Sequence, residues 1–183
     1  MRGKKDSDPD EIRRRWVIFI TIFAFLLSDF MSTFSDILLR KSNTAVAFIV
    51  LIAIIFIGIL FDIIGVAVTV TDEKPFHSMA ASKVKGAKSS LMLIRNASRV
   101  SNVCNDVIGD ICGIISGSSA AFIVTQVDFS DVGFMSAAVF SVILSGIVAS
   151  LTIGGKAFGK EIAINNSKEI ISMIGRILSV FSK

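Results

Sequence analysis

The sequence predicts an all-α integral membrane protein of about four membrane-spanning helices with cytoplasmic interfacial helices, and three observations predict it. Of the 183 residues, 52% are hydrophobic and 19% charged, with 15 Phe, no Tyr and 2 Pro, and the mean hydropathy is +0.74. Ordinary soluble domains do not have this balance. Four apolar runs reach the roughly 20 residues that a helix needs to cross a bilayer. The basic residues gather at the ends of those runs rather than over one soluble face, which argues against nucleic acid despite the net charge of +4.

Residues 1–15 mix six cations with Asp6, Asp8, Asp10 and Glu11 and read as a solvated arm. The first span, 16–39, is too long for a signal-peptide core and lacks a small-residue cleavage pattern after it. The second covers 44–70. Residues 71–99 form the largest soluble connection, where Met79, Val84, Leu91, Leu93 and Ile94 recur among Lys and Ser. This pattern predicts one or two amphipathic helices at the membrane interface. The third span runs from about 100 to 125 and the fourth from 132 to 153. After Gly154-Gly155, residues 154–183 alternate Ile162, Ile170, Ile171, Ile174, Leu178 and Phe181 with charges, predicting an amphipathic surface tail.

Cations precede the first span, fill the connection between the second and third, and follow the fourth. The connection between the third and fourth spans holds Asp128 and Asp131 and no cation. The positive-inside rule then places both ends of the chain on the cytoplasmic side of a bacterial-type inner (plasma) membrane. The arm, connection and tail are each too short to sustain a soluble core.

An ionisable group within a span costs about 2.5 to 3.5 kcal/mol on insertion scales and marks a functional position by default. Asp29, Ser32 and Asp36 share one face of the first span, a polar stripe suited to a partner interface. Asp62 lies deep in the second span between apolar runs and needs a partner inside the bundle. In the third, Asn102, Asp106 and Asp110 recur at intervals of four, which stacks three oxygen-bearing side chains on one α-helical face.

Carboxylate and amide oxygens are the hard ligands that Mg²⁺ or Ca²⁺ prefer, so Asp62, Asn102, Asp106 and Asp110 are the candidate metal ligands. The competing reading is structural: acids that are protonated, or that hydrogen-bond across helices. Gly109, Gly113 and Gly117 form a close-packing stripe in the third span, and Gly133, Ala137 and Ser141 begin another in the fourth. Such faces serve contacts within a protomer or a homodimer alike, and also contacts to other membrane proteins.

Cys104 and Cys112 have no Cys or His companions at metal-ligand spacing and read as small apolar residues. His77 stands alone, and no Ser, Cys or His arrangement suggests a nucleophile with its base, so no enzymatic activity is expected.

The stretch from Phe61 to Arg99, and within it GAKSSLMLIRNASR from Gly86 to Arg99, resembles the end of the cytoplasmic helical hairpin in the CNNM/CorB/CorC (DUF21-type) transmembrane family. The resemblance implies three spans over 44–153, a juxtamembrane amphipathic helix, a dimer and a link to Mg²⁺ transport. The span 16–39 would be an addition, and the form a stand-alone one without the CBS pair. The family's ion-site positions fall near Asp62, near Asp106 and Asp110, and near Lys156. The sequence departs from the pattern there. Ile64-Gly65 replaces Ser-Glu, an Asp pair replaces an Asn pair, and a lysine stands where an acid is usual. Two functions follow as expectations: binding or transport of a divalent cation, or a non-transporting membrane scaffold that binds partner spans.

Overall fold

In the computed structural model, which describes residues 9–40, 43–127 and 137–181, all regular structure is helical. Helix α1 covers Pro9–Arg40 and α2 covers Thr44–Val70. Two short helices, α3 (Lys74–Ala81) and α4 (Ala87–Arg95), form the connection that the sequence marks as amphipathic. Helix α5 (Ala97–Ser101) leads through a π-helical segment (Asn102–Gly109) into α6 (Asp110–Gln126). Helices α7 (Ala137–Asn165) and α8 (Ser167–Phe181) complete the chain. Four helical stretches are long and apolar enough to cross a membrane: 13–37, 44–70, 97–126 and 137–165.

The sequence explains where α2 begins and ends. The Asn43 side chain accepts a hydrogen bond from the Val46 amide at 3.0 Å, satisfying one of the donors that open the helix. Thr71 closes it, its hydroxyl donating to the Ala67 carbonyl at 2.6 Å. Pro75 lies in the first turn of α3, where its missing N–H costs nothing.

Helix α2 is the hub, packing against α7, α6, α5 and the π-helical segment. At the end away from the α3–α4 hairpin the core is Leu39, Ala47, Leu51, Ile55, Ala120, Ile123, Leu144 and Val148. At the hairpin end, Ala67, Val68, Phe76, Ala163 and Ile171 form a second core that joins α2, α3, α7 and α8. Helix α8 lies against α4. Ser90 Oγ donates to the Ile171 carbonyl at 3.0 Å, and Gly86 adopts φ +89°, with backbone atoms of Arg176 within 2.7 Å of where a Cβ would sit. Only glycine satisfies both the left-handed turn and that approach.

Helix α1 is the least embedded span, with no buried residue in its most apolar window. It is held by Ile20, Ala24 and Leu27 against Val107, Ile111 and Ile115, and by Ser35 and Ser119, whose hydroxyls lie 3.4 Å apart. The Arg99 guanidinium lies over the Trp16 ring at 5.1 Å, a cation–π contact that fixes the start of α1 at the hairpin end.

One boundary differs from the sequence expectation. Gly154-Gly155 does not break the helix, because α7 continues through it to Asn165. Gly155 and Gly159 instead face Ile59 and Ile63 of α2, whose side chains occupy the space that Cβ atoms would take. The glycines serve close helix packing, and the amphipathic tail begins at Ser167.

Outside the spans, Glu73 ties the hairpin together. Its carboxylate accepts from Arg95 Nε at 2.6 Å and lies 3.1 Å from His77 Nε2. The Arg95 hydrogen bond, with smaller contributions from the Arg95 and His77 charges, holds the Glu73 carboxyl below its ordinary value of 4.5. A depressed carboxyl stabilises the fold fully above its unfolded pKa and loses that contribution as pH falls through the folded one. Protection factors over 74–95, the exchange rates corrected for the intrinsic pH dependence of amide exchange, should therefore fall as the pH drops below about 4.5. In Glu73→Gln they should already be low at pH 7 and stay level across that range. Identical pH profiles would show that the pair does not hold the hairpin.

Candidate functional site

Polar groups converge where α2 crosses both the π-helical segment and α7. Asp62 is buried on α2 about 12 Å of helix rise from the Val70 end. Its Oδ1 lies 3.9 Å from Lys156 Nζ on α7. Gly58 and Gly65 flank Asp62 by about one turn on either side. A Cβ on Gly58 would come within 3.0 Å of Cys112 Cβ, and one on Gly65 would overlap the Asn105 side-chain amide. The absence of side chains at 58 and 65 thus lets the third span close on α2 around the acid.

Asn105 belongs to the π-helical segment and donates from Nδ2 to Ser101 Oγ at 3.3 Å. Its Oδ1 is buried and has no hydrogen-bond donor among the described residues, and the same holds for Asp62 Oδ2. Orphaned buried oxygens are uncommon in folded proteins and call for an explanation. Segments of π-helix are themselves concentrated at functional sites. Here the segment carries Asn105 to Gly65 and Gly109 to Lys156, whose Nζ lies 3.4 Å from the position of a Gly109 Cβ.

The ligand set expected from the sequence is not brought together. Asp62 faces the bundle interior, while Asn102, Asp106 and Asp110 are exposed on the outer side of the third span. Among the described residues no three His, Cys, Asp or Glu side chains form a metal-sized group. Spacing of four does put Asn102, Asp106 and Asp110 on one side of the helix, but packing selects the other. Small and apolar positions, Cys104, Val107, Gly109, Ile111 and Cys112, are the buried ones. Burying two more carboxylates in that seam would add a large desolvation cost.

The other expected faces divide in a similar way. Asp29, Ser32 and Asp36 are exposed, so their stripe is turned away from the bundle. Of the third-span glycines only Gly109 is in close contact. Nothing lies within 4 Å of a Cβ placed on Gly113 or Gly117, and with Ser116, Ser145, Ala149 and Thr152 they line an open groove between α6 and α7. Ala137 is exposed and Ser141 half-buried, and Gly133 lies outside the described residues. A cleft of about 350 Å³ between α1, α2 and α6 is apolar, with Ser35 as its one hydroxyl-bearing residue, and offers no ion site.

Nothing in the sequence marks Asn105 as a ligand, whereas Lys156 stands out both as a cation following the fourth span and as a lysine where the resembled pattern has an acid. A usable signal was the pattern Gly58, Asp62, Gly65, an acid between two small residues on one α2 face. That pattern requires polar groups opposite it. Against known proteins, no family model, no curated protein and no solved structure matches the chain.

The seam makes a direct prediction. Gly65→Ala should lower the melting temperature, at an overpacking cost of about 1–3 kcal/mol. Combining it with Asn105→Ala should recover most of that loss, since the two side chains compete for one space. Additive losses in the double variant would show that Gly65 and Asn105 do not meet.

Proposed function

We propose that the chain is a non-enzymatic membrane protein that binds a divalent cation, Mg²⁺ first, and passes it through the bilayer by way of the Asp62–Asn105 node. The observation that carries this reading is the pair of buried oxygens, Asp62 Oδ2 and Asn105 Oδ1, that no donor among the described residues satisfies. A carboxylate and an amide oxygen are hard ligands, and two of them suit Mg²⁺, which keeps several of its waters and takes few protein groups. The resemblance of the segment from Gly86 to Arg99 to the CNNM/CorB/CorC hairpin supports the same reading. In that frame the hairpin end is cytoplasmic and the membrane a bacterial-type inner one, in keeping with the cations that flank the spans there.

A second reading, a scaffold that binds partner spans or another copy of the chain, is favoured by the outward acids. Asp29, Asp106 and Asp110 are exposed on spans, where contact with lipid is costly and contact with protein or water is not. The open groove along Gly113 and Gly117 would admit a neighbouring helix closely.

The readings separate on cation response. In detergent or nanodiscs, Mg²⁺ should raise the melting temperature of the wild type, and Mg²⁺ flux should appear in liposomes. Asp62→Asn should lose at least tenfold in both responses, while Asp106→Asn with Asp110→Asn should keep most of the binding. A wild type that Mg²⁺ neither stabilises nor crosses would overturn the cation reading and leave the scaffold.

A further inference from the structure

Lys156 faces Asp62 across the seam as a charge pair without a hydrogen bond. At 3.9 Å the separation is beyond hydrogen-bond range. The ammonium therefore attracts the carboxylate without donating to it, and Oδ2 has no donor among the described residues. The two partners are also unequally buried. The Asp62 side chain is 6% exposed and that of Lys156 26%, so the acid is enclosed in the seam while the lysine side chain is partly open to its surroundings. Gly109 lies beside the ammonium, with Nζ 3.4 Å from where its Cβ would be.

Resting on the cation reading above, we propose that Lys156 is a tethered counter-cation. Its ammonium holds the place beside Asp62 that a divalent ion takes, and it must withdraw before that ion can bind. A second cation beside the same lone carboxylate is opposed by a repulsion that a low-dielectric seam scarcely screens. The flexible four-carbon stem lets the ammonium move toward the polar hairpin end while its methylenes stay against apolar surface. With no ion bound, Lys156 spares the bundle a buried, unpaired carboxylate, which is strongly destabilising. With an ion bound, Asp62 and Asn105 serve it and Lys156 is displaced. The lysine thus lowers cation affinity and couples occupancy to a movement at the hairpin end of α7.

The test uses the full chain in nanodiscs with Mg²⁺ alone as the probe. Lys156→Gln should melt lower than the wild type without Mg²⁺, and its half-stabilising Mg²⁺ concentration should fall at least tenfold. Lys156→Arg, which keeps the charge, should need as much Mg²⁺ as the wild type or more. In the wild type itself, Mg²⁺ should speed reductive methylation of Lys156 several-fold relative to Lys168 in the same sample, a readout that needs no variant to fold. If Mg²⁺ stabilises the wild type but neither lowers the half-point in Lys156→Gln nor speeds labelling of Lys156, the counter-cation role is overturned and the cation site stands. If Mg²⁺ affects neither protein, the site and the role fail together.

Discussion

Everything in this bundle is arranged around the close approach of α2 to two other spans at the level of Asp62. On one side, Gly58 and Gly65 receive Cys112 and Asn105. On the other, Gly155 and Gly159 of α7 receive Ile59 and Ile63. Without a hydrophobic force between helices in lipid, dispersion contacts across such small residues hold spans together. The same closeness leaves Asp62 5% exposed, so its partners lie in or beside the seam. Asp62 finds Lys156, Asn105 finds Ser101 through its amide nitrogen, and two oxygens find no donor among the described residues.

On the cation reading, that incomplete satisfaction is what sets the node apart from structural glue. A buried ion pair contributes little net stability, because desolvation offsets attraction, and well-packed apolar residues would serve the fold as well or better. A pair that is also too long to hydrogen-bond, set beside a second orphaned oxygen and a π-helical segment, is better suited to exchanging partners than to holding two helices. The hairpin and α8 give the node a firm floor. Ser90, Gly86 and Gly175 lock α8 onto α4, and Glu73 with Arg95 braces α3 against α4.

The fold was legible wherever hydropathy and charge act over whole helices. Four spans, a helical connection at 71–99 and an amphipathic C-terminal helix all follow from apolar run length and the position of cations. Two local features were not legible. Gly154-Gly155 has the composition of a break, and only the partner surface of Ile59 and Ile63 reveals it as a contact. Asp106 and Asp110 were conspicuous because charge in a span is rare. Rarity says that a residue matters without saying which way it faces, and packing turned the smaller, quieter side of the helix inward. Asn105, one residue from Asp106, is half-buried and turns its Oδ1 into the seam. Its neighbour across the seam is a glycine, which has no side chain for a pattern to register.

The cation reading puts the ion in the seam, between Asp62 and Asn105, and not on the outer acids. Anomalous scattering from crystals grown with Mn²⁺ in place of Mg²⁺ tests this most directly. A peak within ligand distance of Asp62 and Asn105, with the Lys156 ammonium turned toward the hairpin end, is the predicted result. A peak confined to Asp106 and Asp110, or no peak beside an unmoved Lys156, would contradict it.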